Sequence, residues 1–179
     1  FGDMGSGFVS QYKVSESLIK NIKKNEVKFV CGLGDNIYPA GCYDKDDKQF
    51  KVKFEDPYKK IPNKIKFYMC LGNHDYGNYM DRLFRDCSQN QIEYGIESQK
   101  KGKKWYLPGH YYTFTKEQGN TTIDFFVIDT NLDLMSNKLK DEQMKNMIKE
   151  IKESKSTWKI LYGHHTWISI AGHGNAEPE

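Results

Sequence analysis

Four short apolar runs punctuate a largely polar chain, at 27–33, 65–71, 123–128 and 158–162. Each is strand-sized and rich in β-branched or aromatic residues, so each is predicted as a β-strand. Phe1 reads as the end of a fifth. Between the runs the period changes. Segment 8–24 places Val14, Leu18 and Ile22 four apart, a helical stripe. Segment 141–154 gathers Met144, Met147, Ile148 and Ile151 on one side, with Lys and Glu on the other. Strands alternating with helices predict an α/β domain. The stretch 77–109 is long, polar and Gly-bearing; it is predicted as a surface excursion with a short helix over 80–84.

Composition narrows this picture only slightly. The chain has 179 residues, enough for one domain with a core, and 37% are apolar against 28% charged. Aromatics reach 14%, which argues for a packed domain, since disordered chains are poor in them. The net charge is +3 and the lysines are scattered. Their densest run, Lys100 to Lys104, is broken by Gly102 and reads as a solvated loop, so no nucleic-acid partner is expected. The four cysteines fit no zinc or redox spacing. Cys31 and Cys70 sit in apolar runs and read as buried thiols; Cys42 and Cys87 lie in polar stretches, where a pairing stays open. No apolar stretch approaches the roughly 20 residues of a membrane-spanning helix. The chain starts at Phe1 and stops at Glu179 without a structural stop, so both ends are read as cut.

The chemistry lies just past the end of each strand. Phe1 leads into Gly2-Asp3-Met4-Gly5, and 27–33 into Gly34-Asp35-Asn36-Ile37-Tyr38. Run 65–71 leads into Gly72-Asn73-His74-Asp75-Tyr76, and the last run into Gly163-His164-His165. Ligands of open α/β sheets bind beyond the carboxyl ends of the strands. Here four such ends offer a Gly for a tight turn and then an oxygen or nitrogen donor. Any one of them alone is an ordinary turn or helix cap; the set points to a metal centre. Two ions roughly 3.5–4 Å apart, the spacing general to two-metal hydrolases, clamp a phosphate and activate water. Such a pair needs a bridging carboxylate, and Asp35 is placed for it.

The motifs resemble those of the purple acid phosphatases, in particular the small tartrate-resistant type. The resemblance runs through Gly-Asp-Met-Gly (2–5), Leu-Gly-Asp-Asn-Ile-Tyr (33–38), Asp-Lys-Gln-Phe (47–50), Phe-Glu-Asp (54–56), Leu-Gly-Asn-His-Asp (71–75), Ile-Asp-Thr (128–130) and Gly-His-His-Thr-Trp-Ile-Ser-Ile-Ala-Gly-His-Gly (163–174). It implies a metallophosphoesterase four-layer α/β/β/α sandwich, with 1–179 a partial catalytic domain whose C-terminal part is missing. Most metallophosphoesterases begin with Asp-x-His. Here Gly5 takes that position, and Tyr38 stands where the purple enzymes use a phenolate, a hard donor for a ferric ion.

By resemblance, Asp3, Asp35 and Tyr38 bind Fe(3+), while Asp35, Asn73 and His164 bind a divalent ion (Fe, Zn or Mn). His74 would hold the phosphate oxygens and His173 would protonate the leaving alkoxide. The implied reaction is hydrolysis of small phosphate monoesters by metal-bound hydroxide, an acid phosphatase activity. His165 matches a variable position, and His110 is read as structural.

The chain departs from the family in two places. The family's last Gly-His-x-His motif lies nowhere in 1–179, so each ion has three protein ligands here; the stretch made alone is expected to bind metal poorly and to be nearly inactive. Only 131–140 separates the strand at 123–128 from the next helix, too little for the longer repressive loop of the animal enzymes. Asn120-Thr121-Thr122 is an N-glycosylation sequon, which with the resemblance suggests a glycoprotein on a secreted, lysosomal or endomembrane route. The competing readings are a relative acting on diesters, nucleotides or pyrophosphates, and a non-catalytic scaffold. Oligomeric state is not legible.

Overall fold

A computed structural model of the chain describes residues 1–77, 86–172 and 174. Two three-stranded sheets form the centre. In the first, β1 (Phe29–Leu33), β2 (Lys66–Cys70) and β3 (Trp105–Tyr106) run parallel in that order. In the second, β5 (Thr121–Val127) lies between β4 (Tyr112–Gln118), antiparallel to it, and β6 (Trp158–Tyr162), parallel to it. The expected fifth strand is realised as a short pairing along the outer edge of β1. Phe1 N donates to Cys31 O (2.8 Å), Leu33 N to Phe1 O (3.1 Å) and Asp3 N to Gly34 O (3.0 Å).

Side-chain alternation decides the layers. On β2, Phe67 faces outward and packs on Phe54 and Tyr58, with ring centroids 5.2 and 5.4 Å away. Its neighbour Tyr68 faces inward and stacks on Phe114 of β4 at 3.8 Å. Phe29 of β1 meets Phe125 of β5 at 5.4 Å. The seam between the sheets is therefore aromatic. Two tyrosine hydroxyls pin it, Tyr112 to Met69 O (2.8 Å) and Tyr162 to Tyr68 O (3.0 Å). Lys116 lays its ammonium 4.6 Å from the Tyr68 ring and donates to the Tyr68 hydroxyl, a cation–π contact inside the seam.

Helices cover the two outer faces. Helix α1 (Val9–Asn25) buries Ile22, and its Gln11 and Ser15 side chains donate to Lys53 O and Pro57 O. There the short α2 (Lys48–Phe50) continues into a π-helical turn, Lys51–Glu55. Helix α4 (Asn137–Glu153) lies on the second sheet, where Gln143 grips the backbone of Asp129. It starts at Asn137 rather than 141 because Ser136 caps it, its hydroxyl accepting from Leu139 N. The result is the expected metallophosphoesterase architecture, a mixed α/β sandwich in α/β/β/α order.

The reading of 77–109 as a surface excursion needs correction. It holds helix α3 (Ser88–Lys100) and β3, and Trp105 and Leu107 are fully buried. The helix is hard to read from sequence because its buried face is Ser88, Gln91, Ile92, Gly95 and Ser98, with a single large apolar residue. Close approach replaces hydrophobic area: a Cβ at Gly95 would sit 2.4 Å from Leu107 O. Strand β4 is also unanticipated, although Tyr112, Phe114 and Lys116 alternate with exposed Thr113, Thr115 and Glu117. The helix expected over 80–84 lies outside the described residues. Cys70 is buried as expected and Cys31 is half-buried, while Cys42 and Cys87, from polar stretches, are both buried. Among the described residues no helix is long and apolar enough to cross a membrane.

Candidate metal centre

The loops after β1, β2 and β6 and the turn at Asp3 meet at the carboxyl edge of the sheets. Among the described residues, three that are not glycine hold positive φ, and two of them are Asp3 (56°) and Asp35 (50°). Aspartate tolerates this left-handed region better than most residues, and such backbone strain concentrates at functional sites. Gly72 permits the β2 loop to touch the β1 loop. A Cβ there would lie 2.2 Å from Asp35 Oδ1 and 2.3 Å from Asp35 N. Gly5 has a similar reason: its Cβ would fall 1.7 Å from Asn36 O, so a histidine has no room at that position.

The predicted donors converge. The Tyr38 hydroxyl lies 2.7 Å from Asp3 Oδ1 and 2.8 Å from Asp35 Oδ2, its one proton between two carboxylate acceptors. Burial first, then these two carboxylates, push the Tyr38 phenol well above its ordinary range. His164 reaches the same spot from β6. Its Nδ1 lies 2.8 Å from Leu33 O, which can only accept, so Nδ1 carries a proton and Nε2 is turned toward the ligand oxygens. His164 Nε2 stands 3.4 Å from Asp35 Oδ1 and 3.1 Å from Asn73 Oδ1. Ligand atoms of Asp3, Asp35 and His164 all lie within 4.8 Å of one another. Two carboxylates, an amide oxygen and an imidazole gathered this closely offer a donor set of hard oxygens with one nitrogen that suits iron, zinc or manganese. The residues present therefore fit a metal centre.

His74 joins from the turn Asn73–Tyr76. Its backbone N donates to Asp35 Oδ1 (3.0 Å), its Nδ1 lies 2.6 Å from Pro39 O, and its Nε2 is 3.8 Å from Asp35 Oδ2. Its ring leans on Tyr38 with centroids 4.5 Å apart. His173 lies outside the described residues. His165, beside His164, bonds instead to Thr130, with Nδ1 2.7 Å from Oγ1.

Sequence reasoning missed the residues that hold this cradle. Asp75 is fully buried and accepts from Asn36 N, Ile37 N, Gly72 N and Gln91 Nε2 at 2.7–3.1 Å. Burial pushes its carboxyl up to about 6, against the pull of those donors. Asp129, also fully buried, accepts from the Tyr76 hydroxyl (2.6 Å), Asn131 N (3.0 Å) and Asn131 Nδ2 (2.7 Å). Its Oδ2 lies 2.9 Å from His110 Nδ1, which agrees with the structural reading of His110. The signal available was a carboxylate placed directly after a candidate ligand or a strand end, where a buried acceptor gathers loop N–H groups.

This edge gathers paired carboxylates, a phenol and an imidazole, and comparison with known proteins gives the family that such an edge belongs to. The chain belongs to the calcineurin-like phosphoesterase family, whose profile matches residues 1–178. Within it the chain is similar to tartrate-resistant acid phosphatase type 5 of Homo sapiens, 30% identical over 164 residues, or 82% of this chain and 46% of that protein. The same enzyme of Rattus norvegicus is 28% identical over 178 residues, 89% and 50%. Purple acid phosphatase 7 of Arabidopsis thaliana is 28% identical over 193 residues, 97% and 54%. The chain thus spans about half the length of these relatives. Among solved structures, one described as GAP50, the anchor in the inner membrane complex of Plasmodium, shares the fold with TM-score 0.77 at 19% identity, over 98% of this chain and 56% of that one. Purple acid phosphatase PPD1 from yellow lupin (Lupinus luteus) seeds gives 0.60 at 15% identity, over 97% and 31%.

Proposed function

We propose that residues 1–179 are part of the catalytic domain of an acid phosphatase that hydrolyses small phosphate monoesters at a binuclear metal centre. The observation that carries this reading is the meeting of Asp3, Asp35 and the Tyr38 hydroxyl within 2.8 Å contacts at a strand edge that also receives Asn73 and His164. Asp3, Asp35 and Tyr38 are the residues to hold a ferric ion; Asp35, Asn73 and His164 are those to hold a divalent one, iron, zinc or manganese. When bound, such a pair supplies positive charge for the phosphoryl oxygens and makes water acidic enough to serve as a nucleophile at low pH.

The chain's own residues do the remaining work. The Leu33 carbonyl fixes the His164 tautomer, so Nε2 faces the ligand oxygens. The Pro39 carbonyl fixes the His74 ring at the mouth of the site, where it is placed to bind phosphate oxygens. His173 is assigned the proton for the leaving alkoxide. Asn120 is exposed in the turn between β4 and β5, accessible for the glycosylation that a secreted or lysosomal route would bring.

The Plasmodium neighbour, described as an anchor, marks the other reading, a binding scaffold. The gathered ligand set supports the enzyme. Iron analysis of the full-length protein, with a visible absorption band and turnover of p-nitrophenyl phosphate at acidic pH, tests the proposal. A protein that takes up no iron and leaves the ester intact would be a scaffold.

A further inference from the structure

The segment just past β5 touches both flanks of two proposed ligands. Asn73 lies between Leu71 and Tyr76, and His164 between Gly163 and His165. Asp129 accepts from the Tyr76 hydroxyl, and the Asn131 amide donates to Leu71 O (3.3 Å). Between them, Thr130 takes hold of the other loop. Its Oγ1 accepts from His165 N (3.0 Å) and meets His165 Nδ1 at 2.7 Å. Its methyl lies over Gly163, where an added Cβ would come within 2.5 Å. Behind this segment, Gln143 of α4 bonds both the N–H and the carbonyl of Asp129, which fixes it against the second sheet.

We infer that Asp129, Thr130 and Asn131 are positioning residues that set the separation of Asn73 and His164. The inference rests on the reading of those two as ligands of the divalent ion. In the structure Asn73 Oδ1 and His164 Nε2 stand 3.1 Å apart, yet they belong to different sheets. Among the described residues no backbone ladder joins the β2 loop to the β6 loop directly, and the registers of the two sheets are separate. Three consecutive residues reach both. The ferric ligands Asp3, Asp35 and Tyr38 come from the Phe1–β1 side, away from the hydrogen bonds that 129–131 make to the β2 and β6 loops. The clamp therefore bears first on the ion held by Asn73 and His164 and reaches the other only through the shared Asp35, a bias that a general stabilising role would not have.

The test uses the full-length protein stripped of metal, reloaded with Fe(3+) and titrated with Mn(2+), with free Mn(2+) followed by electron paramagnetic resonance. Asp129→Asn and Asn131→Ala are expected to weaken Mn(2+) binding by about tenfold or more, the usual cost of losing a group that orients a ligand. The visible band of the ferric–phenolate pair should keep its position and intensity. Thr130→Val, which removes a half-exposed hydroxyl and so spares the fold, should weaken Mn(2+) binding by a smaller factor, again with the band unchanged. Wild-type Mn(2+) affinity in all three variants would overturn the clamp, as would loss of the band and of Mn(2+) in parallel in Thr130→Val. A wild-type protein that shows neither band nor Mn(2+) uptake would instead sink the functional reading, and the clamp with it.

Discussion

The loops after β1 and β2 and the segment after β6 begin alike, each with a glycine and then a candidate ligand, but they end differently. Past β1, Asn36 and Ile37 are buried; past β2, Asp75 and Tyr76 are buried. Past β6, Trp167 is 82% exposed and Ile168 74%. The first two loops cover one another, joined through Asp75 and the contact at Gly72. The third keeps large apolar side chains in solvent, and its Thr166 hydroxyl donates within the same segment, to Gly174 O (3.3 Å). A strand-end glycine thus permits a ligand turn, and a second backbone laid against it fixes the turn in place.

Substitutions can break this contrast, starting with its strongest member. Asp35→Asn in the full-length protein should cost more than about a thousandfold in phosphate ester turnover, ~4 kcal/mol of transition-state stabilisation, with loss of bound iron. Wild-type iron content in that variant would remove Asp35 from the centre. Asp75→Ala should lower unfolding free energy by on the order of 3 kcal/mol in urea, since four buried or half-buried donors lose their acceptor together. A loss under about 1 kcal/mol would mean that the loops hold without it.

The same carboxylate predicts a pH effect of defined sign. Its folded value of about 6 lies above the ordinary 3.8, so between these values the folded state binds more protons than the unfolded one. Stability contributed through Asp75 is then gained as pH falls through 6 and is fully present below 3.8. Wild type minus Asp75→Asn should grow by about 2 kcal/mol from pH 7 to pH 4 in urea titrations. A difference that stays flat or shrinks would contradict the burial argument. At the other end of the scale, Trp167→Ser made in residues 1–179 should shift stability by no more than about 0.5 kcal/mol, as expected of a side chain exposed in this stretch. A larger loss would show that the segment after β6 is held after all.

Apolar runs made β1, β2, β5 and β6 legible, and apolar spacing the two long helices, although β6 leaves Trp158, Ile160 and Leu161 exposed and the helical stripes leave Val14, Met144 and Ile148 exposed. Helix α3 was not legible, since it packs through Gly95, Ser98 and Gln91 and offers no stripe. Strand β4 carried a readable alternation, yet its inward Lys116 and outward threonines lowered its apolar content below the other runs. For the site, the order of strand ends with Asp3, Asp35, Tyr38, Asn73 and His164 foretold which side chains meet. It did not foretell what holds them. Asp75 and Asp129 look like any polar loop residue until the surrounding N–H groups are seen to converge on them, and that is a fact of three dimensions.

The tie between Asp75 and the backbone of Asn36, Ile37 and Gly72 has a further consequence. The cradle takes its shape when the chain folds, from amide groups that are the protein's own. A cation arriving at the proposed centre would find its oxygens already at their stations, so its binding free energy would not be consumed in ordering loops. Filling such a seat would then be a matter of ion exchange more than of loop rearrangement.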